Sequence, residues 1–306
     1  MERILITGAL GQLGQEFIKY FVKNNIYVLA SDIRSPENKL NCDFEVANAM
    51  DINRLDNLVK KHKINTIYHL VAVLSAKGEE NPFNSWKLNM ESFQNIIEIS
   101  ITNKINKIFW PSSIAVFGTK SNLENVNQDP VLNPSTIYGI SKLSGEKLIS
   151  YYNNKFDLDI RSLRYPGIIS FESKPGGGTT DYVMEMIESL KKGENYTCFL
   201  NKSSRLPMLY INDAILGTIK YMSTDKIKLS VKDSYNITGF SISPLELFEK
   251  LKEIGCKGKI NYKPDFRNKI AETWPKEIDD SVAKRDWNWE ANYGLDETLK
   301  ETFKLI

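Results

Sequence analysis

The stretch that most limits how this chain can fold is a glycine-rich turn near its amino terminus. Gly8, Gly11 and Gly14 follow an apolar run at residues 4–6 and lead into an amphipathic stretch at residues 15–23. This order of strand, turn and helix is typical of a dinucleotide-binding entry, where the glycines allow a tight turn and a close approach of the pyrophosphate. Because a glycine triplet also occurs in ordinary turns, the interpretation depends on the features that follow.

An acidic residue ends the second predicted strand. The apolar residues 26–30 lead to Asp32, about 20 residues beyond the glycines, where a carboxylate can accept hydrogen bonds from the adenosine ribose. Since a carboxylate repels a 2′-phosphate, Asp32 favours NAD over NADP as the cofactor. Arg34 brings a positive charge to the same place and slightly weakens that preference.

Length, charge and cysteine content exclude several classes of protein. The 306 residues can form one large or two smaller domains, and a net charge of +2 gives no sign of a nucleic-acid partner. The scattered Cys42, Cys198 and Cys256 fit a reducing compartment, and two histidines without a CxxC pair predict no metal site. We find no apolar run of membrane-spanning length and no leader before the first strand, and therefore predict a cytoplasmic protein with no membrane partner.

Strand and helix patterns alternate through the first half of the chain. After a loop at residues 41–44, the expected strands are residues 65–70, 107–110 and 158–163, and the expected helices are residues 52–61, 82–102 and 141–154. Such alternation predicts a parallel sheet covered by helices on both faces. The fold class is therefore α/β, a Rossmann-type doubly wound parallel sheet with a smaller carboxy-terminal substrate-binding lobe.

Beyond Tyr165 the pattern loosens. A flexible glycine loop at residues 175–178 precedes residues 179–181, which we expect to cap a helix, and residues 212–213 are expected to cap another helix that returns to the sheet. The predicted domains are a nucleotide-binding domain of residues 1–165 with about 205–235, and a substrate lobe of residues 166–204 and 236–306.

Tyr138 and Lys142 are four residues apart at the expected start of a helix, which places them on one face. A tyrosine needs its pKa of about 10 lowered to act as a base near neutral pH, and a nearby cation favours the phenolate. Ser113 closes the preceding strand, and its hydroxyl can hold a carbonyl or alcohol oxygen. An isolated pair at this spacing is usually an exposed tyrosine and a solvated lysine, but the glycine turn and the acidic strand end favour a catalytic site.

Together these motifs resemble the extended short-chain dehydrogenase/reductase family, to which NAD-dependent epimerases and dehydratases belong. The resemblance covers nearly the whole chain and rests on Gly8-x-x-Gly11-x-x-Gly14, Ser113 before residues 116–118, and Tyr138-x-x-x-Lys142. Within that family the chain is similar to short-chain-type L-threonine 3-dehydrogenases at residues 69–76, 164–170, 175–182, 205–213 and 270–275. Residues 205–207 depart from the epimerase pattern, and Asn212 stands where most such dehydrogenases have Asp.

The resemblance implies NAD-dependent oxidation of L-threonine at the Cβ hydroxyl to 2-amino-3-oxobutanoate. In this hypothesis Tyr138 is the general base, Lys142 lowers its pKa and binds the nicotinamide ribose, and Ser113 orients the reacting oxygen. It also implies a homodimer paired through the helices that begin at Pro82 and near Tyr138.

The expected cofactor contacts follow the glycine turn and the ends of the strands. They are Gly8, Gly11, Gln12, Leu13, Gly14, Asp32, Ile33, Arg34, Asp43, Phe44, Leu70, Ala72, Tyr165 and Ile168, in addition to Tyr138 and Lys142. Asp43 and Phe44 match family positions near adenine, Leu70 and Ala72 the cofactor floor, and Tyr165 and Ile168 the nicotinamide.

The expected substrate contacts are Ser75, Thr179, Thr180 and Trp274, with Ser113 and Tyr138. Thr179 and Thr180 can offer hydroxyl and N–H groups to a carboxylate at a helix start, although capping alone would explain them. Trp274 can wall the pocket, although a core position would explain it equally.

Two other functions stay open at this point. A nucleotide-sugar 4-epimerase or dehydratase shares the fold and would need a cationic, aromatic site for a nucleoside diphosphate in the second lobe. A non-catalytic NAD-binding protein is the other alternative, although such proteins commonly lose the tyrosine or the lysine that this chain retains.

Overall fold

The fold is known from a computed structural model that describes residues 2–171 and 176–305. Its strands are β1 (Arg3–Thr7), β2 (Tyr27–Asp32), β3 (Asp43–Val46), β4 (Thr66–His69), β5 (Lys107–Phe109), β6 (Ser112–Ser113), β7 (Ile160–Arg161), β8 (Leu163–Tyr165), β9 (Gly167–Ile169), β10 (Tyr196–Cys198), β11 (Leu206–Tyr210), β12 (Tyr235–Asn236), β13 (Phe240–Ile242) and β14 (Ile260–Tyr262). Its α-helices are α1 (Gln12–Lys23), α2 (Ile52–His62), α3 (Ser75–Glu80), α4 (Pro82–Asn103), α5 (Ile137–Phe156), α6 (Tyr182–Lys191), α7 (Ile211–Ser223), α8 (Pro244–Glu253), α9 (Phe266–Ala271), α10 (Ser281–Trp287) and α11 (Leu295–Leu305).

The central sheet is parallel and has the strand order β3–β2–β1–β4–β5–β7. Leu5 in β1 lies opposite Leu29 on one side and Ile67 on the other, and all three side chains are fully buried. The strand order reverses between β1 and β4, and ligands of such sheets bind in the crevice at the carboxyl ends of the strands beside that reversal. The predicted α/β class with a doubly wound parallel sheet is confirmed.

Helices cover both faces of this sheet, as buried strands with apolar residues on both faces require. On one face α1 and α7 bury Phe17, Phe21 and Ile215 against β1 and β4. On the other face α2, α4 and α5 bury Leu58, Ile96 and Ile149. Helix α5, which begins at the predicted catalytic pair, is therefore fixed against the sheet by its own apolar side chains.

The end of the predicted fifth strand divides between two sheets. β7 pairs with β5 and completes the central sheet, whereas β8 leaves it to lie between β6 and β12. The change occurs at Ser162, which is fully buried and accepts from Ser234 Oγ at 2.8 Å. As a result, Ser113 in β6 lies directly opposite Tyr165 in β8.

Several predicted boundaries differ from those in the structure. The predicted loop at residues 41–44 is wrong in part, because Asp43 begins β3 and pairs with Leu29. Helix α1 begins at Gln12, three residues earlier than expected, and α5 begins at Ile137 rather than near residue 141. The short helix α3 was not predicted at all.

Some helix starts follow the predicted caps and others do not. Asp51 accepts from Arg54 N as expected, and Asn81 does the same for Asn84 N ahead of Pro82. The cap predicted at residues 212–213 is wrong, whereas α6 begins directly after residues 179–181 with Asp181 at its N-cap position. Asp181 makes no side-chain cap bond to α6, and Asp213 lies inside the first turn of α7, where it accepts from Asn292 N and Tyr293 N.

The second half of the chain forms a further apolar cluster around α6, α8 and the short parallel pair β10–β14. Residues from the first half also pack in this cluster, including Phe117, Val126 and Tyr138. The domain boundaries given above stay a prediction. None of the helices in the described part of the chain has the length and hydrophobicity that a bilayer crossing requires.

Candidate active site

The glycine turn between β1 and α1 is built so that side chains are excluded from it. Gly8 has φ +72°, and a Cβ there would lie 3.0 Å from the carbonyl carbon of Leu70. A Cβ on Gly14 would lie 2.6 Å from the backbone oxygen of Ala9, so only glycine lets α1 pack this close to the turn. Gly11 donates to the carbonyl of Gly8 at 3.1 Å and closes the turn.

The first N–H groups of α1 are available to a ligand at this turn. The first helical hydrogen bond runs from Gln15 N to Gly11 O at 3.1 Å, so the N–H groups of Gln12, Leu13 and Gly14 precede the helical ladder. With the positive end of the helix dipole, they form a cradle that fits a pyrophosphate. Gln12 also spans toward the second lobe, since its Nε2 lies 3.9 Å from Met184 Sδ on α6.

Asp32 ends β2 beside the turn, and its carboxylate is fixed there. Oδ2 accepts from Leu10 N at 3.1 Å, whereas Oδ1 accepts from Arg34 N at 3.1 Å and from Arg34 Nε at 3.2 Å. Asp32 is only 7% exposed, while the neighbouring Ile33 is 65% exposed. Asp32, Ile33 and Arg34 therefore lie together at the carboxyl end of β2, and Arg34, which we expected to weaken the preference for NAD, is paired with Asp32.

Asp43 and Phe44, which we predict to contact adenine, lie away from the carboxyl end of their strand. They lie at the start of β3, opposite Leu29 and Ala30, and Asp43 Oδ2 accepts from Tyr27 OH at 2.6 Å. Asp43 lies three positions before Val46, which pairs with Asp32, a distance of about 10 Å along the strand. Residues just beyond the carboxyl end of β3, such as the exposed Asn48, follow Ala47, whose N–H donates to Asp32 O at 3.0 Å.

The turn after β4 lines the same crevice and is held by a residue that the sequence analysis missed. Leu70 donates its N–H to Thr7 O at 3.0 Å, and Ala72 follows in an extended segment. Asn89 on α4 accepts from Val73 N at 2.8 Å and donates to Val73 O at 3.2 Å. An asparagine within the buried face of a predicted amphipathic helix was the signal that could have identified it.

Ser113 and Tyr138 lie side by side on β6 and α5. Thr136 caps α5 by accepting from Gly139 N, and Gly139 lets α5 approach Ala115, because a Cβ there would overlap the Ala115 carbonyl. Burial raises the pKa of Tyr138 to about 12, and the hydrogen bond with Ser113 lowers it in part. The hydroxyl groups of Ser113 and Tyr138 can therefore both form hydrogen bonds to one substrate oxygen.

Lys142 lies one helical turn beyond Tyr138, but its ammonium does not make the tyrosine acidic. Nζ donates to Pro111 O at 2.6 Å, and burial lowers the pKa of Lys142 to about 7, with the nearby Glu146 acting in the opposite direction. The expectation that Lys142 brings the pKa of Tyr138 below its ordinary value is therefore wrong for this state. The physical reason is that burial disfavours charge on both groups.

Two of the predicted substrate residues contact each other. Ser75 Oγ and Thr179 Oγ1 are 3.1 Å apart, and both side chains are buried. Ser75 begins α3, and Glu79 of that helix accepts from Ile137 N at 2.8 Å at the start of α5. The pair Ser75–Thr179 is thereby tied to the end of α5 that carries Tyr138.

The loop before α6 is held by its own acidic residue. Asp181 Oδ2 accepts from Gly177 N at 3.0 Å and from Gly178 N at 2.8 Å. Thr180 packs against Gly167, where a Cβ would contact its side chain. Pro175, the first residue of the predicted glycine loop, lies outside the described residues.

The remaining residues with predicted contacts to cofactor or substrate differ in their surroundings. Tyr165 is turned away from the crevice, because its ring packs on Phe109 at 6.1 Å and its hydroxyl bonds to Thr218 on α7. The role of Tyr165 as a nicotinamide contact stays a prediction. Ile168 is partly exposed on β9, and Trp274 is buried in the same apolar cluster as Tyr138.

Arg205, directly before β11, is a cation that a nucleoside diphosphate could use, and it is already paired. Arg205 Nη1 donates to both carboxylate oxygens of Glu246 at 2.6 and 2.7 Å, and Nε lies 3.6 Å from Glu277 Oε1. Two carboxylates therefore surround this cation.

The family model described as the NAD dependent epimerase/dehydratase family matches residues 4–238. Its cofactor agrees with the cradle and the acidic strand end that the structure forms. An uncharacterized epimerase/dehydratase of Staphylococcus saprophyticus is 38% identical over 312 aligned positions, which cover 100% of this chain and 97% of that protein.

Two solved structures are also similar over the full length. A GalE-like L-threonine dehydrogenase from Cupriavidus necator in its holo form is 41% identical, with a TM-score of 0.96 and 99% of each chain covered. A monomeric L-threonine 3-dehydrogenase from a metagenome, in its apo form, is 39% identical, with a TM-score of 0.94 and coverage of 99% of this chain and 98% of that chain.

Proposed function

The chain belongs to the NAD-dependent epimerase/dehydratase family, and on that premise we propose that it oxidises L-threonine at the Cβ hydroxyl to 2-amino-3-oxobutanoate. The cofactor of the reaction is NAD. Similarity to two L-threonine dehydrogenase structures supports this substrate. The observation in this chain that carries the proposal is the buried pair Ser75–Thr179 beside the start of α5, which suits a small polar ligand.

In the proposed mechanism Tyr138 removes the proton of the substrate hydroxyl, and Ser113 holds that oxygen by a hydrogen bond. The chemistry that bound NAD would supply is that of a hydride acceptor for Cβ, with a positively charged ring beside the pocket. Lys142 carries a charge on the same helix face and would bind the nicotinamide ribose. The N–H groups of Gln12 and Leu13 would hold the pyrophosphate, and Asp32 the adenosine ribose.

The substrate's charged groups are assigned to the loop and helix ends around Ser75. We assign the carboxylate to Thr179 and Thr180, and the ammonium or carboxylate to the hydroxyl of Ser75. Trp274 would wall the apolar side of the pocket. The bonds from Gly177 and Gly178 to Asp181 would shape the loop that excludes water from the reaction.

The test of the proposed function is NADH formation, followed by absorbance, with NAD and L-threonine. L-serine and L-allo-threonine run beside it report whether the methyl group and the Cβ configuration matter. Tyr138→Phe should lower the turnover rate at least about a hundredfold, because general acid–base catalysis typically contributes a rate factor of that size. NAD affinity should change little. NADH formation by Tyr138→Phe at the wild-type rate would remove Tyr138 from the role of base.

A nucleotide-sugar epimerase or dehydratase remains the second candidate only on the ground of the shared fold. The pairing of Arg205 with Glu246 and Glu277 counts against it, because these carboxylates would repel a diphosphate. A UDP-sugar that raised the melting temperature of the NAD-loaded protein, where L-threonine did not, would favour this candidate. NAD binding without NADH formation from any hydroxy compound would favour a non-catalytic protein.

We also propose that the protein is a homodimer. The bulky side chains of Phe83 and Trp86 on α4, and of Ile140 and Tyr151 on α5, are exposed. Since α4 and α5 pack side by side, a second copy can cover these side chains in a four-helix arrangement. The cytoplasmic location stays a prediction from the sequence.

A further inference from the structure

The ammonium of Lys142 is buried among groups that carry no charge. Lys142 is 2% exposed, and its Nζ donates to Pro111 O at 2.6 Å. Nζ also lies 4.2 Å from the ring centroid of Trp110 and 5.5 Å from that of Tyr138. A carbonyl oxygen and two aromatic faces are therefore its immediate surroundings.

The charged groups nearest to Lys142 are already paired or neutral. On α5, Glu146 accepts from Ser112 Oγ at 2.6 Å and from two nitrogens of Arg164 on β8 at 2.9 Å each. On β4, burial lowers the pKa of His69 to about 3, so its ring is neutral near neutral pH. Tyr138 on α5 is likewise neutral there, because burial raises its pKa to about 12. Nothing among these groups gives Lys142 a carboxylate partner of its own.

The indole of Trp110 is fixed in place against Lys142. Phe93 stacks on it with ring centroids 4.6 Å apart and 18° between the planes, and His69 stacks on Phe93 at 6.2 Å and 11°. On the other side lies Gly145, one turn beyond Lys142 on α5, where a Cβ would overlap the indole. The glycine therefore allows the indole to lie directly against the helix that carries Lys142.

We propose that Trp110 is a positioning residue for Lys142, whose ammonium it holds on its indole face beside Tyr138. Tryptophan gives the strongest cation–π attraction of the aromatic side chains, and the attraction increases where water is excluded. This attraction stabilises the charged form of Lys142 and does not fix the ammonium at one point, as a direct carboxylate partner would. The catalytic consequence rests on the proposed function, whereas the hold on the ammonium does not.

The primary experiment titrates Lys142 itself and needs no turnover. The Cε resonance of ¹³C-labelled lysine is followed against pH in the wild type, Trp110→Phe and Trp110→Leu, and the Lys142→Met variant identifies the signal. Trp110→Leu should lower the pKa of Lys142 by about one unit, which corresponds to about 1.4 kcal/mol. Trp110→Phe should lower it by less than half as much, because it keeps an aromatic face. Equal shifts in both variants, or none, would overturn the proposal.

A second measurement does not depend on whether the leucine variant folds. The five tryptophans are replaced by 5-fluorotryptophan or 5,7-difluorotryptophan, which keep the ring shape and weaken its negative face. The pKa of Lys142 should fall further with the second fluorine. The same labelling in the Trp110→Phe background is the matched control and should leave that pKa unchanged. If fluorination in the wild-type background leaves the pKa of Lys142 unchanged, the role of the indole is contradicted.

Kinetics then separates this proposal from the proposed function. With NAD and L-threonine, the acidic and basic limbs of the kcat/KM profile should move in Trp110→Leu and return toward wild type in Trp110→Phe. If the wild type oxidises no threonine while Lys142 still titrates as described, the proposed function fails and the role of Trp110 stands. If threonine is oxidised but the pKa of Lys142 does not change in the Trp110 variants, only the role of Trp110 fails.

Discussion

At the scale of single residues, burial governs the charge state of the site more than neighbouring charges do. It raises the pKa of Tyr138 and lowers those of Lys142 and His69. The spacing of Tyr138 and Lys142 in the sequence correctly places them on one face of a helix. Their depth below the surface depends on α4 and β5, which the local sequence does not reveal, so the direction of the pKa of Tyr138 was mispredicted.

The ribose-binding edge gives a prediction about cofactor choice. Asp32→Ala should weaken NAD binding by about ten- to a hundredfold, since hydrogen bonds to a charged group contribute about 1.5–3 kcal/mol each. The same change frees Arg34, so NADP affinity should rise toward that for NAD. Calorimetry with both cofactors measures this, and Ile33→Ala is the control because that side chain is exposed. A wild type that binds NAD and NADP equally would contradict the role of Asp32.

His69 predicts how stability depends on pH. Its ring is fully buried between Thr7 Oγ1 at 2.7 Å and Ser92 Oγ at 3.0 Å, and its pKa is lowered from 6.5 to about 3. Between these values the unfolded chain binds a proton that the folded chain does not. The neutral ring's contribution to the free energy of unfolding is therefore complete above pH 6.5. It is lost as the pH falls toward 3, and the loss amounts to at most about 5 kcal/mol.

The measurement is the free energy of urea unfolding at several pH values. His69→Gln keeps a neutral hydrogen-bonding side chain and should be less stable than wild type at pH 7.5, yet lose less stability on acidification. Parallel curves for the two proteins would show that His69 does not carry this dependence.

At the scale of elements, the spacing of apolar residues and the helix N-caps predict the parts of the fold that local sequence determines. The apolar runs of β1, β2 and β4 and the helices α2 and α4 lie where the patterns put them. The strand β3 was missed because it reads Asp-Phe-Glu-Val, with little apolar character. The cap at Asp213 failed because its carboxylate is used by residues 292–293, which are far away in the sequence.

The packing of α1 on the glycine turn gives a prediction for this element. Gly14→Ala would place a Cβ 2.6 Å from Ala9 O and 2.7 Å from Gly8 O, so the helix must move away from the turn. We expect a loss of about 1–3 kcal/mol in unfolding free energy, as for other overpacked sites, together with weaker NAD binding. Denaturant unfolding and NAD titration measure the two effects.

The control for Gly14→Ala is Gly78→Ala in α3. A Cβ there meets Ile137 Cγ2 at 3.5 Å, an ordinary contact, and alanine favours a helix by up to about 1 kcal/mol over glycine. This variant should be as stable as the wild type or more so. If both variants lost stability alike, the close approach of α1 would not be the reason.

At the scale of the whole molecule, a buried ion pair joins α5 to segments that are far apart in the sequence. Glu146 on α5 holds Arg164 on β8, which also donates to Gln128 O at 2.9 Å and to Asn236 Oδ1 at 3.1 Å. Gln128 in turn accepts from Asn236 N at 2.9 Å. The network therefore connects α5 and β8 to the segment around Gln128 and to β12.

The homodimer is tested on the exposed side chains of α4 and α5. Phe83 is 88% exposed and Trp86 40% exposed, so Phe83→Asp with Trp86→Asp should convert a dimer to a monomer in sedimentation or light-scattering measurements. Ile227→Asp is the control, because that side chain is 87% exposed outside the two helices. A wild-type protein that is monomeric at all concentrations tested would contradict the proposal, and one relative is described as monomeric.

The transfer of the chain between two sheets at Ser162 has a consequence for how the sequence can vary. Arg161 pairs with Phe109 in one sheet, and Tyr165 pairs with Ser113 in the other, with only three residues between them. One inserted or deleted residue would reverse which side chains of β8 face Glu146 and which face Thr218, because strand side chains alternate. The length of this short connection is therefore fixed, and we expect related chains to differ in length at surface loops and never here.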